Sequence, residues 1–333
     1  VNSAASFSMG EEFSGASPWA LSGLSADGKV VVENWAPLRG PIATASGAFD
    51  AVTGVVIPNS GLDALQPLMP AFSPDDALFT YVAPTTFDLH AMDWSESGQT
   101  ATNDRLLVAG GADTNTNYIG FPTVSPDHKW VLYQRSSTYG SLGNASDLYL
   151  ASVDVPGVEI PLDALNGTSY PFAAGARDQH LDYEPTFAPV ASGGYFWVVF
   201  HSRRTWGNQL TGPAYCGEGC GTKQLWVAAI DQNPQPGVDP SHPAFYLPGQ
   251  DSTTLNMRGY WALNPCKADG QGCQSGVDCC GGYCSQTDGG AGVCMSNSGG
   301  GCSNDGDHCA TAADCCDTTE SCINHVCSTT GPH

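Results

Sequence analysis

The densest grouping of side chains able to do chemistry lies between residues 180 and 206. It comprises His180, Asp182, Glu184, His201, Arg203 and Arg204, with Trp206 close behind. Imidazoles, carboxylates and guanidiniums gathered in this way suit an anion, a metal or a glycan. The plainer reading is that Arg203 and Arg204 pair with neighbouring carboxylates, as the few cations of an acid-rich chain do. Trp206 is the tryptophan best placed for a partner surface. Trp130, Trp197 and Trp226 stand inside apolar runs and read as packing residues. No Gly-x-Ser-x-Gly, His-Glu-x-x-His or Walker loop occurs, and Asn304-Asp305-Gly306-Asp307 lacks the spacing and closing Glu of a calcium loop. The sequence therefore nominates no catalytic residue, metal or cofactor.

Cysteine is the second chemically loaded residue type. Twelve of the 14 cysteines follow Pro265, and the other two are Cys216 and Cys220. No Cys-x2-Cys pair announces a zinc or redox site. Disulfides in an oxidising compartment are the better reading, since small modules cannot bury enough apolar surface to fold unaided. Cys216 and Cys220 most simply pair with each other, bracing an insertion that runs from Arg203 to Lys223. The remaining spacings are C-x6-C-x5-CC-x3-C-x9-C from Cys266 and C-x6-C-x5-CC-x5-C-x4-C from Cys302.

The chain has 333 residues, 33 acids, 11 bases and a formal charge of −22. Eight of the acids and one base follow residue 265, so body and tail are both acidic. Such a balance excludes a nucleic-acid footprint and an anionic membrane surface. No apolar run is long enough for a transmembrane helix. The chain opens on Val1 with no basic-then-apolar leader, as expected of a mature exported product. Asn144 and Asn166 stand in glycosylation sequons.

Residues 1–265 must supply the elements that hold the candidate cluster. Helical periodicity is scarce, and short β-branched and aromatic runs alternate with turn residues, which means an all-β fold. A repeat decides its type. Met69-Pro-Ala-Phe72 leads through Ser73-Pro74-Asp75 into Leu78–Val82, and Phe121-Pro-Thr-Val124 leads through Ser125-Pro126-Asp127 into Trp130–Tyr133. An earlier copy runs from Trp19 through Ser25-Ala-Asp27-Gly-Lys29 to Val32. A degenerate one runs from Glu184-Pro185 through Gly193-Gly194 to Phe200. Third strands follow at Asp88–Asp93, Asp147–Asp154 and Gln224–Asp231, and fourth apolar pieces at Leu106–Val108, Val158–Leu162 and Ala244–Leu247. From Ser25 the copies are spaced by 48, 52 and 63 residues, the arithmetic of four-stranded propeller blades. Asp27, Asp75 and Asp127 then read as turn formers and not as catalytic acids.

These copies resemble the TolB-type β-propeller repeat over roughly residues 15–250, and that resemblance implies a bacterial source. Family members commonly have six blades, whereas four can be counted here. Arg258–Pro265 looks like the first strand of a further blade, and Ala5–Met9 could complete it as a split blade that closes the ring. The tail resembles two tandem inhibitor-cystine-knot (knottin) modules, 266–296 and 297–333. The resemblance implies Cys266–Cys280, Cys273–Cys284 and Cys279–Cys294, then Cys302–Cys316, Cys309–Cys322 and Cys315–Cys327.

The functional expectation is a secreted or cell-surface binding and scaffold protein, with the periplasm as a further location. Its partner would be a protein (another copy of itself or a different surface chain) or an extracellular glycan. The alternatives are a glycosidase-like hydrolase with carboxylates at the channel and a knottin-type protease inhibitor.

Overall fold

The computed structural model describes residues 23–33, 47–63, 65–111, 118–137, 145–168, 179–204, 223–251, 256, 258–262, 267, 270–273, 279, 282–285, 292–296, 320–323 and 326–329. The described part of the body forms four antiparallel sheets of four strands each. Blade one consists of β1 (Gly23–Leu24), β2 (Val30–Glu33), β3 (Gly47–Asp50) and β4 (Val56–Ile57). Blade two consists of β5 (Leu68–Phe72), β6 (Leu78–Val82), β7 (Leu89–Ser95) and β8 (Thr100–Val108). Blade three consists of β9 (Tyr118–Val124), β10 (Trp130–Ser136), β11 (Ser146–Ser152) and β12 (Glu159–Pro161). Blade four consists of β13 (Asp182–Phe187), β14 (Tyr195–Ser202), β15 (Gln224–Asp231) and β16 (Phe245–Tyr246). The first strands lie side by side, β1 on β5, β5 on β9 and β9 on β13. Consecutive up-and-down sheets with adjacent inner strands are a β-propeller architecture.

The serine–aspartate turns form because each side chain takes up N–H groups that the reversal frees. Ser25, Ser73 and Ser125 donate Oγ–H to Asp27, Asp75 and Asp127 at 2.6, 2.5 and 2.5 Å. The same hydroxyls accept the N–H groups of Val30, Leu78 and Trp130 at 2.9, 2.9 and 3.0 Å. The three aspartates are thus structural, as expected of local side-chain-to-backbone bonding.

Two apolar faces explain the unbroken hydrophobic runs of the middle strands in blades two and three. Successive side chains of a strand point to opposite faces. In β10, Val131 and Tyr133 enter the core shared with blade two, while Trp130 and Leu132 enter the core shared with blade four. A third core joins Val30, Val32, Ala48 and Ile57 of blade one to Phe79, Tyr81, Met92 and Trp94 of blade two. Each large side chain sealed in this way contributes roughly 1.5–3 kcal/mol. The same alternation corrects the reading of Trp197. Its neighbours Phe196 and Val198 fill the core, whereas Trp197 lies on the other face, part-exposed, donating Nε1–H to the Ser192 carbonyl.

Inner strands carry a shared irregularity. Met69, Phe121 and Glu184 have φ of 51°, 52° and 48°, and each precedes a proline. The ladder register shifts beside each of them, as at a bulge. Bulged N–H groups find partners in the neighbouring blade, Phe121 N on Met69 Sδ at 2.9 Å and Glu184 N on Gln134 Oε1 at 2.8 Å.

Among the described residues the one helix is α1 (Asp163–Asn166), ended by Gly167 at φ 74°. Asn166 is buried and exchanges bonds with the Leu148 backbone, accepting its N–H at 2.9 Å and donating to its carbonyl at 3.0 Å. The sequon at Asn166 is therefore a structural asparagine. Asn144 lies outside the described residues.

Residues 258–262 form no strand, contrary to the expectation of a new blade. They dock by side chains instead. Arg258 bonds Thr186 Oγ1 at 3.1 Å and the Pro185 carbonyl at 3.1 Å, and Trp261 Nε1 bonds the Thr186 carbonyl at 3.1 Å. Ala5–Met9 lie outside the described residues.

In the tail, β17 (Gly272–Cys273) and β18 (Gly282–Ser285) both pair with β19 (Gly292–Ser296), and β20 (Glu320–Ile323) pairs with β21 (Val326–Thr329). Both hairpins place the fifth and sixth cysteines of their frames in register, Cys284 with Cys294 and Cys322 with Cys327. Cys279 and Cys294 are joined by a disulfide with a Cα–Cα distance of 5.2 Å, one of the pairs the knottin resemblance implies. Cys273 and Cys327 are also disulfide-bonded. The Sγ atoms of Cys273, Cys279 and Cys294 lie within 4.8 Å of one another, but as disulfide sulfurs they offer no thiolate to a metal. Cys216, Cys220, Cys266, Cys280, Cys302, Cys309, Cys315 and Cys316 lie outside the described residues.

Candidate functional site

Blade four carries the cluster that the sequence singled out. Its inner strand β13 pairs with β14 so that Asp182 faces Ser202 and Tyr183 faces His201. Strict alternation would set Glu184 on the face of Asp182. The bulge at Glu184 instead brings its Oε2 to 3.7 Å from His201 Nδ1. The six residues consequently divide between two neighbouring groups.

One group is a buried ionic junction between blades three and four. Arg204 Nη2 lies 3.4 Å from Asp182 Oδ1, with both side chains buried. Its Nη1 donates to the Leu165 carbonyl at 3.0 Å, and its guanidinium lies 4.5 Å from the Trp226 ring centroid and 5.2 Å from that of Phe200. Planar stacking with a fixed fork of donors is the use to which arginine is suited. Burial pushes the Asp182 carboxyl up to about 7, against the opposing pull of Arg204 and Ser202. Beside this pair, His180 Nδ1 and Asp147 Oδ2 share a bond of 2.6 Å. Burial also pushes Asp147 up, with His180 holding against it. Arg204 and Asp182 thus take the structural role that pairing arginines with carboxylates had suggested.

The second group centres on His201 and Glu184, both buried. His201 is fully buried, stacked on Tyr183 at 5.4 Å, and neither of its ring nitrogens has a hydrogen-bond partner. Arg203 and Lys223 are both part-exposed, and each stands one residue beyond the last ladder pair, Ser202 with Gln224. They are the two posts of the long insertion. Arg258, brought back by the 258–262 segment, docks on the neighbouring inner strand at Thr186 and Pro185. Burial holds the His201 imidazole far below its ordinary range, and the charges of Lys223, Arg258 and Arg203 add to the effect. Burial likewise lowers the Lys223 ammonium, while Glu184 favours its charged form.

Sequence reasoning missed Lys223, Arg258, Asp147 and Gln134 as neighbours of this site. Lys223 carried a signal, since it bounds the insertion that Arg203 opens. Arg258 carried none, because its approach depends on a turn-back of the chain after β16. Trp206 lies outside the described residues.

The arrangement sets the cations Arg203 and Lys223 at the end of the β14–β15 ladder, beside Glu184 and His201. The buried junction behind it sets the position of β14 and hence of both posts.

No family model matches the chain. Among solved structures, it is similar to a protein assigned as TolB from Agrobacterium tumefaciens, with 17% identity over 64% of this chain and 59% of that one and a TM-score of 0.37. It is also similar to hydrazine synthase of Kuenenia stuttgartiensis, with 13% identity over 72% of this chain and 68% of that one and a TM-score of 0.35. Dipeptidyl peptidase 4 of Porphyromonas gingivalis shows 12% identity over 62% of this chain and 30% of its own, with a TM-score of 0.36. The chain thus spans less than two thirds of the first and third of these proteins, and likenesses of this size carry no argument about function.

Proposed function

We propose that this chain is an exported, non-catalytic binding and scaffold protein. In this reading residues 1–265 form a TolB-like propeller that offers the rim of blade four to a protein or glycan partner. Residues 266–296 and 297–333 form two cystine-knot modules that keep the tail rigid outside the reducing cytosol. One observation carries the binding reading: Arg203 and Lys223 stand side by side one residue beyond the last pair of the β14–β15 ladder, next to the bulge that sets Glu184 Oε2 3.7 Å from His201 Nδ1. Binding sites place a few charged groups convergently in this way. The disulfides at Cys273, Cys279, Cys294 and Cys327 support an oxidising compartment.

The test is to probe glycan and peptide arrays with the full chain and with Lys223→Met, alongside a panel of glycoside, peptide and ester substrates. Array partners that bind the wild type and are lost on Lys223→Met are expected. Turnover abolished by Glu184→Gln would replace this reading with that of a hydrolase.

A further inference from the structure

The buried imidazole of His201 stands where blade three keeps a hydrogen-bond acceptor for the inner strand of the next blade. The geometry points to a latch: the backbone N–H of Tyr260 closes on His201 Nε2 and seats residues 258–262 as an inner strand on the end face of blade four.

An inner-strand bulge frees an N–H, and the preceding blade supplies its acceptor. Phe121 N meets Met69 Sδ of blade two, and Glu184 N meets Gln134 Oε1 of blade three. Gln134 is the ladder partner of Gly120, the residue before the Phe121 bulge. His201 is the ladder partner of Tyr183, the residue before the Glu184 bulge. The two side chains therefore hold the same place in successive blades. Alternation along β10 turns Gln134, like Trp130 and Leu132, toward blade four. Along β14 it turns His201, like Val199, away from the core that Val198 and Phe200 share with blade three. His201 is fully buried with both ring nitrogens unbonded, a costly state that one incoming N–H would relieve. Its Nδ1 lies 3.7 Å from Glu184 Oε2, so a neutral ring with its proton on Nδ1 leaves the Nε2 lone pair as acceptor.

Residues 258–262 fit this face. A Cβ on Gly259 would come within 3.0 Å of Val199 and 3.2 Å of Leu225, the ladder partner of His201. Only glycine permits that approach. Arg258 and Trp261, on either side of it, already hold Thr186 and Pro185 of β13. Gly259-Tyr260 repeats the Gly120-Phe121 pair at the bulge of β9, and a proline follows each glycine after six residues, Pro265 and Pro126. Tyr260 thus takes the bulge position, whose N–H reaches back to the preceding blade. Closure fixes the stretch through which the chain passes from blade four to the cysteine-rich tail.

Amide hydrogen exchange and imidazole nitrogen chemical shifts of the full chain test this. At pH 7 the Tyr260 amide is expected to exchange at least about a hundredfold slower than in an unstructured peptide, with the His201 proton on Nδ1. His201→Gln, which copies Gln134, should keep that protection. His201→Leu should lose about tenfold of it and leave the amides of blade two unchanged. A wild-type Tyr260 amide that exchanges as in a free peptide overturns the latch, as does a proton on Nε2. Full protection in a folded His201→Leu variant overturns it too. The two wild-type readings decide the question even where a variant fails to fold.

Discussion

The Asp76 carboxylate of blade two accepts the backbone N–H groups of Ala26 at 2.6 Å and Asp27 at 2.8 Å, in the turn of blade one some 50 residues earlier. The equivalent position in blade three is His128, whose Nδ1 lies 2.9 Å from Asp75 Oδ2 of blade two. The residue following each Ser-Pro-Asp therefore reaches back to the preceding turn, and it adds a polar tie to the apolar packing between blades.

Asp76→Ala removes an acceptor of two N–H groups at a buried position. The expected loss is about 2–3 kcal/mol, because hydrogen bonds to charged groups are stronger than neutral ones and the N–H groups lose their partner. A urea unfolding midpoint lowered without change in slope will show it.

The His128–Asp75 bond should make the junction of blades two and three pH-dependent. The bond to Asp75 raises the His128 imidazole above its ordinary value, so its contribution is complete below about pH 6.5 and fades as pH rises through the folded value. Burial works against the Asp75 charge, but the bonds from His128 and Ser73 hold its carboxyl below the usual value. Its contribution is present above about pH 4 and fades as pH falls through the folded value. Coupling in an Asp75→Asn, His128→Gln double-mutant cycle should thus peak near pH 5 and shrink at pH 9. With His128 41% exposed, a maximum of up to about 1 kcal/mol is expected.

Asp182 should act in the opposite sense to Asp75. Its folded value, pushed up to about 7 by burial, lies above its unfolded one, so the native state binds the extra proton between about pH 4 and 7. Wild-type stability falls over that window, and Asp182→Asn should flatten the fall. The difference between wild type and variant therefore moves in the variant's favour as pH rises. Arg204→Ala leaves the buried carboxylate without its cation and should cost about 3–5 kcal/mol at pH 8. Denaturant titrations at pH 5, 6.5 and 8 separate the two effects.

Asn166 should remain unmodified when the chain is expressed in a glycosylating cell, as glycopeptide mapping will show. Both polar atoms of its side chain hold the Leu148 backbone. Asn166→Ala is expected to destabilise by about 1–3 kcal/mol, since it leaves a buried N–H and a buried carbonyl unmet.

Blade boundaries, the role of the turn aspartates and the repeat of the cysteine frame were legible in the sequence because each is local. A serine two residues before an aspartate closes its own turn, and strand periodicity sorts side chains between faces without knowledge of the neighbours. Two local signals still misled. Trp197 sits among core residues in the sequence but on the other face of β14, and the sequon at Asn166 says nothing of burial.

What the sequence by itself determined is thus the all-β class, the four-stranded unit and the acid-rich, cysteine-dense character of the chain. Only the tertiary structure decided how the candidate residues group. The bulge at Glu184 overrode the alternation that would have set it with Asp182, and packing against blade three drew Arg204 to Asp182 and away from Arg203. Side-chain docking of residues 258–262 carried Arg258 to β13 from a segment that reads as another strand. The physical reason is one of range. Turn and strand preferences act over two to five residues, while the rim's charge is assembled from contacts between positions such as Arg258 and Thr186, separated by 72 residues.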